Sequence, residues 1–145
     1  MKDKKQFFLD IAYRCSLQGT CLKANYGAVI VDSTDHIIST GYTGMPKGVQ
    51  HCTTCARINM PSGSNYEKCR SVHAEMNTLL QAGKKAEGCI MYLNKNKIDE
   101  HIMPCYLCSK MIVNSGIVRV ITPYDEYEPM NLIKYWDDLF FGNKQ

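Results

Sequence analysis

Two short stretches of the sequence carry the residue types of a metal-dependent hydrolytic site. SVHAEMN, residues 71–77, places an imidazole, His73, two positions before a carboxylate, Glu75. PCYLC, residues 104–108, places the thiols of Cys105 and Cys108 three positions apart, on one face of a helix. One imidazole and two thiolates suit zinc, and three protein ligands leave a fourth position for water. We therefore expect hydrolysis, in which zinc acidifies the water and Glu75 moves protons.

Each stretch alone has an ordinary explanation. His73 and Glu75 could be a core histidine and a solvated helix carboxylate, while the two cysteines could form a redox pair or half of a structural zinc site. Together, H-x-E followed by P-C-x-x-C is the signature of zinc-dependent deaminases of nucleobases. A purely structural zinc module has no need for a carboxylate beside its histidine. The combination therefore favours catalysis.

The hydrophobic pattern predicts the elements that position these residues. Helices are expected at 4–17, 73–82, 104–114 and 129–141. Strands are expected at 26–32, 36–42, 89–93 and 117–121, the first two as a hairpin. Strands that alternate with helices after a hairpin predict an α/β domain with one central mixed sheet in three α/β/α layers. His73 and Cys105 would then each begin a helix, and two helix starts can meet at one point.

Composition limits the classes of function. A chain of 145 residues with 45% hydrophobic residues fits a single domain, 1–145. A net charge of +3 with scattered basic residues gives no track for nucleic acid, so a small substrate is expected. Asp10 and Arg14 interrupt the apolar part of the first fifteen residues, which argues against a signal peptide, and no apolar run is long enough to span a membrane. We expect a cytoplasmic protein with no membrane or nucleic-acid partner.

Eight cysteines in a reducing compartment indicate metal binding or catalysis rather than disulfides. Cys15 and Cys89 fall on a helical stripe and at the start of a strand, so both are predicted to be small core residues. Of the remaining four cysteines, three lie in a Gly- and Pro-rich loop at 43–70, a length that is uncommon unless the loop is functional or held by metal. The spacing predicts a second, structural zinc site with ligands drawn from Cys21, Cys52, Cys55, Cys69 and His51. Alternatively, Cys21 and Cys69 are merely buried.

A longer series of segments resembles the cytidine/deoxycytidylate deaminase superfamily. In order, YGAVIVD, STGYTGMPKG, YEKCRSVHAEMN, PCYLCSKMIVNSGI and PYDEY are similar to its deoxycytidylate (dCMP) deaminase members, including the late-competence-operon type of bacteria and phages. The resemblance spans roughly residues 5 to 127. It implies that His73, Cys105 and Cys108 hold zinc, that Glu75 shuttles protons, and that the backbone amide of Ala74 lies near the reacting groups.

The same resemblance implies a reaction and its regulation. The reaction is hydrolysis of dCMP to dUMP and ammonia, which feeds thymidylate synthesis. The family implies a homo-oligomer, commonly a hexamer, with activation by dCTP and Mg²⁺ and inhibition by dTTP. Some members carry an additional zinc. The alternative is a deaminase of another cytosine or adenine nucleotide, or of a base in nucleic acid, which would need a basic groove.

Five residues are predicted to contact the substrate, and Ala74 has been named above. Many superfamily members have Asn where this chain has Thr43, and a hydroxyl cannot offer the paired donor and acceptor of an amide to the sugar or base. Lys47 and Arg70 are the cations nearest in sequence to the site and are predicted to contact the phosphate, although both could be ordinary solvated charges. Tyr124 would stack on the pyrimidine by resemblance, or simply cover the core.

Overall fold

The computed structural model describes residues 3–61, 64–97 and 101–142. Within these ranges the α-helices are α1 Lys4–Ser16, α2 Ala74–Ala82, α3 Tyr106–Asn114 and α4 Pro129–Phe141. The strands are β1 Tyr26–Val31, β2 Ile37–Tyr42, β3 Ile90–Lys95, β4 Arg119–Ile121 and β5 Glu126–Tyr127. Among the described residues, no helix combines the length and the hydrophobicity needed to cross a bilayer.

The strands form one mixed sheet in the order β2-β1-β3-β4-β5. β1 pairs antiparallel with both β2 and β3, whereas β3 and β4 are parallel. β2, β3 and β4 therefore run in the same direction, and their carboxyl ends lie at one edge of the sheet. The chain passes from the end of β2 to α2 and from the end of β3 to α3, so both helices start near that edge.

Two hydrophobic cores lie on opposite faces of the sheet, because successive side chains of a strand point to opposite sides. On one face, Phe8 and Ala12 of α1 pack against Val29 of β1. On the other face, Ala28 belongs to a cluster with Ala74 of α2 and with residues of α3 and α4. The predicted three-layer α/β/α arrangement with a central mixed sheet is confirmed.

Helix α2 is docked closely on β2. A Cβ atom at Gly41 would lie 2.6 Å from the carbonyl oxygen of Ala74 and 2.6 Å from the amide nitrogen of Thr78, so only glycine allows this approach. The Ser39 hydroxyl donates a hydrogen bond to the Thr78 carbonyl at 2.8 Å. The Asn77 amide donates to the carbonyl of Tyr42, also at 2.8 Å. These contacts hold the first turns of α2 at the carboxyl end of β2.

Several predicted boundaries need correction. The helix predicted from Pro104 begins at Tyr106, because Cys105 has an extended backbone and is the N-cap. The strand predicted at 89–93 runs from Ile90 to Lys95. β5, only two residues long, was not predicted, since two residues carry no periodic signal. Cys15 and Cys89 do pack in the core as predicted.

The close approach at Gly41 generates a test of how α2 is held. Gly41→Ala should lower the free energy of unfolding by about 1–3 kcal/mol, because the added methyl overlaps the backbone of α2. Gly44→Ala is the matched control, since its Cβ would meet nothing nearer than 3.8 Å. Chemical denaturation followed by circular dichroism measures both. Equal stability of the two variants would contradict the role given to Gly41.

Candidate active site

The starts of α2 and α3 bring three candidate metal ligands together. His73 is the N-cap of α2 and Cys105 is the N-cap of α3. Nδ1 of His73 lies 3.5 Å from Sγ of Cys105 and 3.3 Å from Sγ of Cys108. The three ligand atoms all lie within 4.8 Å of one another, and no other group of His, Cys, Asp or Glu in the described part of the chain is so arranged.

The donor set and its spacing fit zinc. In a tetrahedral site with Zn–N near ~2.0–2.1 Å and Zn–S near ~2.3 Å, a nitrogen and a sulfur ligand are about 3.5–3.6 Å apart. The observed separations of 3.5 and 3.3 Å are close to this value. The thiol of Cys108 and the imidazole of His73 hydrogen-bond to Cys105 and lower its pKa, which favours the thiolate that metals bind.

Glu75 lies beside these ligands in the first turn of α2. Its side chain is 4% exposed, and burial raises its pKa to about 7, although His73 opposes the shift. The neighbouring Cys108 thiol also lowers the pKa of Glu75, against the larger effect of burial. A carboxyl group with a pKa near neutrality can both accept and return a proton, which is what acid–base catalysis requires.

A cavity of about 590 Å³ opens onto His73, Glu75 and Cys105. This volume is in the range of small-molecule sites. Aromatic side chains form much of its wall, namely Tyr26, Tyr66, Tyr127, Tyr135 and Trp136. The cationic side chains at the wall are Lys23, Arg57 and Lys95. The cavity therefore combines flat apolar surfaces with positive charge beside the ligand cluster.

Arg57 organises the loop that covers the site, although nothing in the sequence singled it out. Its side chain is 6% exposed, and its guanidinium lies 4.2 Å from the centre of the Tyr66 ring. Nε of Arg57 donates to the carbonyl of Ser64 at 2.8 Å, and the Tyr66 ring packs edge-on against the imidazole of His73. The Lys23 ammonium donates to the carbonyls of Arg57 and Met60. Side-chain hydrogen bonds to backbone carbonyls thus order part of this loop.

The residues predicted to contact substrate fall into two groups. Thr43 lines the cavity, and its Oγ1 accepts a hydrogen bond from the amide of Tyr26 at 3.0 Å, while Ala74 begins α2 beside the ligands. Lys47, Arg70 and Tyr124 are exposed and are not among the residues of the cavity wall. Cys69 and Ser71 face the cavity, so the residue between them points away when the chain is extended. Closeness in sequence predicted Lys47 and Arg70, and the family resemblance predicted Tyr124; none of the three lines this cavity.

The structure does not assemble the predicted second zinc site. Within residues 3–61, 64–97 and 101–142, the proposed ligands Cys21, Cys52, Cys55, Cys69 and His51 form no close group of three. Cys21 and Cys69 line the cavity, and Sγ of Cys52 lies 3.7 Å from Sδ of Met45. Residues 52–55 belong to no helix or strand, so the sequence spacing did not determine where these side chains point.

Comparisons with known proteins agree with this geometry. Residues 2–123 match the family described as the cytidine and deoxycytidylate deaminase zinc-binding region. The chain is 35% identical over 129 residues to a deoxycytidylate deaminase of Mycobacterium phage D29, covering 83% of this chain and 94% of that protein. It is 33% identical over 121 residues to a deoxycytidylate deaminase of Schizosaccharomyces pombe, covering 79% of this chain and 35% of that longer protein.

A solved structure shares the fold. The dCMP deaminase from cyanophage S-TIM5, determined in complex with dCMP and dUMP, superposes with a TM-score of 0.68 at 22% sequence identity, covering 93% of each chain. The family match spans most of this chain and includes both stretches that meet at the ligand cluster. The chain therefore belongs to the cytidine and deoxycytidylate deaminase family.

Proposed function

We propose that this protein, as a single domain of residues 1–145, hydrolyses dCMP to dUMP and ammonia and so supplies dUMP for thymidylate synthesis. The observation that carries the proposal is the meeting of His73, Cys105 and Cys108 beside the buried carboxyl of Glu75, in the wall of a cavity. The phage and yeast relatives named above support dCMP as the substrate. They do not favour the alternative substrates, which are a base in nucleic acid and another cytosine or adenine nucleotide.

His73, Cys105 and Cys108 would hold the zinc ion. When bound there, zinc supplies Lewis acidity that brings the ionisation of water near neutral pH. Glu75 takes a proton from the water that attacks C4 of the cytosine ring, and returns protons to the ring nitrogen and the departing amino group. A C4–O bond forms, the C4–N bond breaks, and ammonia leaves. Burial of Glu75 supports this role, because its pKa near 7 suits transfer in both directions.

The cavity wall would hold the rest of the nucleotide. The amide of Ala74 lies in the first turn of α2, where backbone donors have no partner within the helix and can bind a substrate oxygen. The Thr43 hydroxyl accepts from the Tyr26 amide and keeps its own hydrogen available to donate to the sugar. We assign the phosphate to Lys23 and Lys95, which line the cavity, in place of Lys47 and Arg70. Tyr124, which the resemblance implies would stack on the pyrimidine, is not among the residues of the cavity wall.

Assembly and regulation, which follow from the family resemblance, and location, which follows from the sequence pattern, stay predictions. These are a homo-oligomer with a hexamer favoured, activation by dCTP with Mg²⁺, inhibition by dTTP, and a cytoplasmic location. An apolar groove of about 390 Å³ between α2 and α3 supports association with another copy. Leu80 in its wall is 83% exposed, and Met76 and Met111 lie beside it. An apolar surface of this kind is typical of an interface.

Glu75→Gln tests the acid–base role. The amide cannot accept the proton, so kcat for dCMP should fall by at least ~100-fold to ~10,000-fold, while zinc content stays unchanged. Ammonia release measures the rate, and atomic absorption measures the metal. Glu87→Gln, at an exposed glutamate outside the cavity wall, should retain full activity. Full turnover by the Glu75→Gln protein would remove the proposed mechanism.

Lys95→Met tests the phosphate assignment, because it removes the charge and keeps the length of the side chain. Loss of a charge-assisted contact worth about 1.5–3 kcal/mol should lower kcat/KM for dCMP by about 10-fold to 150-fold. The value for deoxycytidine, which has no phosphate, should change little. Lys47→Met is the matched control at an exposed lysine. Equal losses on both substrates would show that Lys95 does not contact the phosphate.

Metal analysis separates one zinc site from two. The side-chain positions predict one zinc per fully loaded chain, lost in Cys105→Ser and retained in Cys55→Ser. Cys55→Ser is informative because Cys55 belongs to the second site predicted from sequence, with Cys21, Cys52, Cys69 and His51. Two zinc ions per chain, of which Cys55→Ser removes one, would restore that second site.

A further inference from the structure

Helix α4 lies beyond the region that the family model matches, which ends at residue 123. Two adjacent residues of α4 nevertheless bind the residues on either side of Cys105. The indole Nε1 of Trp136 donates a hydrogen bond to the carbonyl of Pro104 at 3.0 Å. The hydroxyl of Tyr106 donates to Oδ1 of Asp137 at 2.6 Å. A candidate metal ligand is therefore held on both sides by one helix.

Aromatic packing reinforces the two hydrogen bonds. Phe140 lies one turn after Trp136, on the same face of α4. Its ring stacks on the Trp136 indole, with centroids 5.6 Å apart and an interplanar angle of 16°, and also packs against Tyr106 at 5.7 Å. Pro104 is fully buried and Trp136 is 9% exposed. The Pro104 carbonyl also accepts from the Ser109 hydroxyl at 3.4 Å, so loss of the indole N–H would remove the shorter of its two hydrogen bonds.

The backbone around Cys105 explains why these contacts bear on the metal. Cys105 is the N-cap of α3, with φ −69° and ψ 173°, so its own conformation is not fixed by the helix that follows. The direction of its Cα–Cβ bond depends on the peptide groups before and after it. The Pro104 carbonyl belongs to the first of these, and Tyr106 follows the second. Holding both keeps Sγ of Cys105 within 3.5 Å of His73 Nδ1.

We propose that Trp136 and Asp137 are positioning residues that hold the Cys105 thiolate in place for the metal. The pair, together with its partners Pro104 and Tyr106, is called the α4 clamp below. The proposal rests on the proposed function only for the assignment of Cys105 as a ligand. It predicts that breaking the α4 clamp weakens metal retention and changes the geometry at the metal, even though no clamp side chain is itself a ligand.

Three variants break the α4 clamp with small changes in packing. Trp136→Phe keeps an aromatic ring against Phe140 and removes the N–H donor, Tyr106→Phe removes the hydroxyl, and Asp137→Ala removes the acceptor. Asp137→Asn keeps an acceptor oxygen and should restore the behaviour of the unaltered protein. Asp138→Ala, at the next and exposed position of α4, is the matched control outside the clamp.

The measurements are the rate of zinc transfer to a coloured chelator and the absorption spectrum of the cobalt(II)-substituted protein. Each clamp-breaking variant should release zinc about tenfold faster, the lower end of the effect seen when outer partners of metal ligands are removed. The cobalt bands, which report ligand geometry, should shift in the same variants. Asp137→Asn and Asp138→Ala should match the unaltered protein in both measurements.

Unchanged zinc release and unchanged cobalt spectra in Tyr106→Phe and Asp137→Ala would overturn the proposal. An equal effect of Asp138→Ala would overturn it too, because the effect would then not belong to the clamp. Unfolding of the metal-free variants, measured in parallel, identifies a purely structural role: lower stability with normal zinc release also contradicts positioning. If Trp136→Phe fails to fold, Tyr106→Phe and Asp137→Ala, at half-buried positions, give the same readout.

Neither measurement uses a substrate, so the test of the α4 clamp is independent of the test of the proposed reaction. A protein that deaminates some other nucleotide would still give the predicted zinc release. A clamp that fails this test would leave the hydrolysis of dCMP standing. The Tyr106→Phe and Asp137→Ala variants also keep the cavity wall intact, since neither residue lines it.

Discussion

The contact between one imidazole and two thiols, drawn from two helix starts, is the constraint on which the site depends. Burying a thiolate without a compensating charge is strongly unfavourable. His73, Cys105 and Cys108 nevertheless share one small volume, at separations close to those of a tetrahedral zinc site. A bound cation would supply the charge that compensates buried thiolates, so metal binding and the stability of this region are expected to be linked.

The sheet makes this meeting possible. β2 and β3 run in the same direction on either side of β1, and the chain leaves the carboxyl end of each strand to begin a helix. Gly41 allows α2 to lie directly on β2, so the imidazole and Glu75 reach the sheet edge where α3 also begins. The site is therefore a consequence of strand direction and one close helix–strand contact, not of nearby positions in the sequence.

Around the site, proton transfer and substrate binding are assigned to different residues. Glu75 is buried next to the ligands, where its carboxyl can move protons without competing solvent. The cations Lys23, Arg57 and Lys95 and five aromatic side chains form other parts of the cavity wall. Arg57 and Lys23 also order the loop before α2 by donating to its carbonyls, a role that the cysteine spacing had suggested for a second metal. Side-chain hydrogen bonds to backbone carbonyls thus contribute to the order of this part of the described chain.

Short-range patterns determined a large part of this protein from the sequence alone. The H-x-E and P-C-x-x-C stretches, the four helices and four of the five strands are visible because each depends on spacing within one regular element. β5 was not predicted because it is only two residues long. The outward positions of Lys47 and Arg70 were not predicted because irregular loops have no period. Arg57 likewise looks like a solvated charge until the loop folds over it. Only the tertiary structure decided which cations line the cavity and which cysteines lie together. It also decided that α4 hydrogen-bonds to both neighbours of Cys105. Spacing along the chain determines side-chain directions within one element, but not the positions of two elements relative to each other.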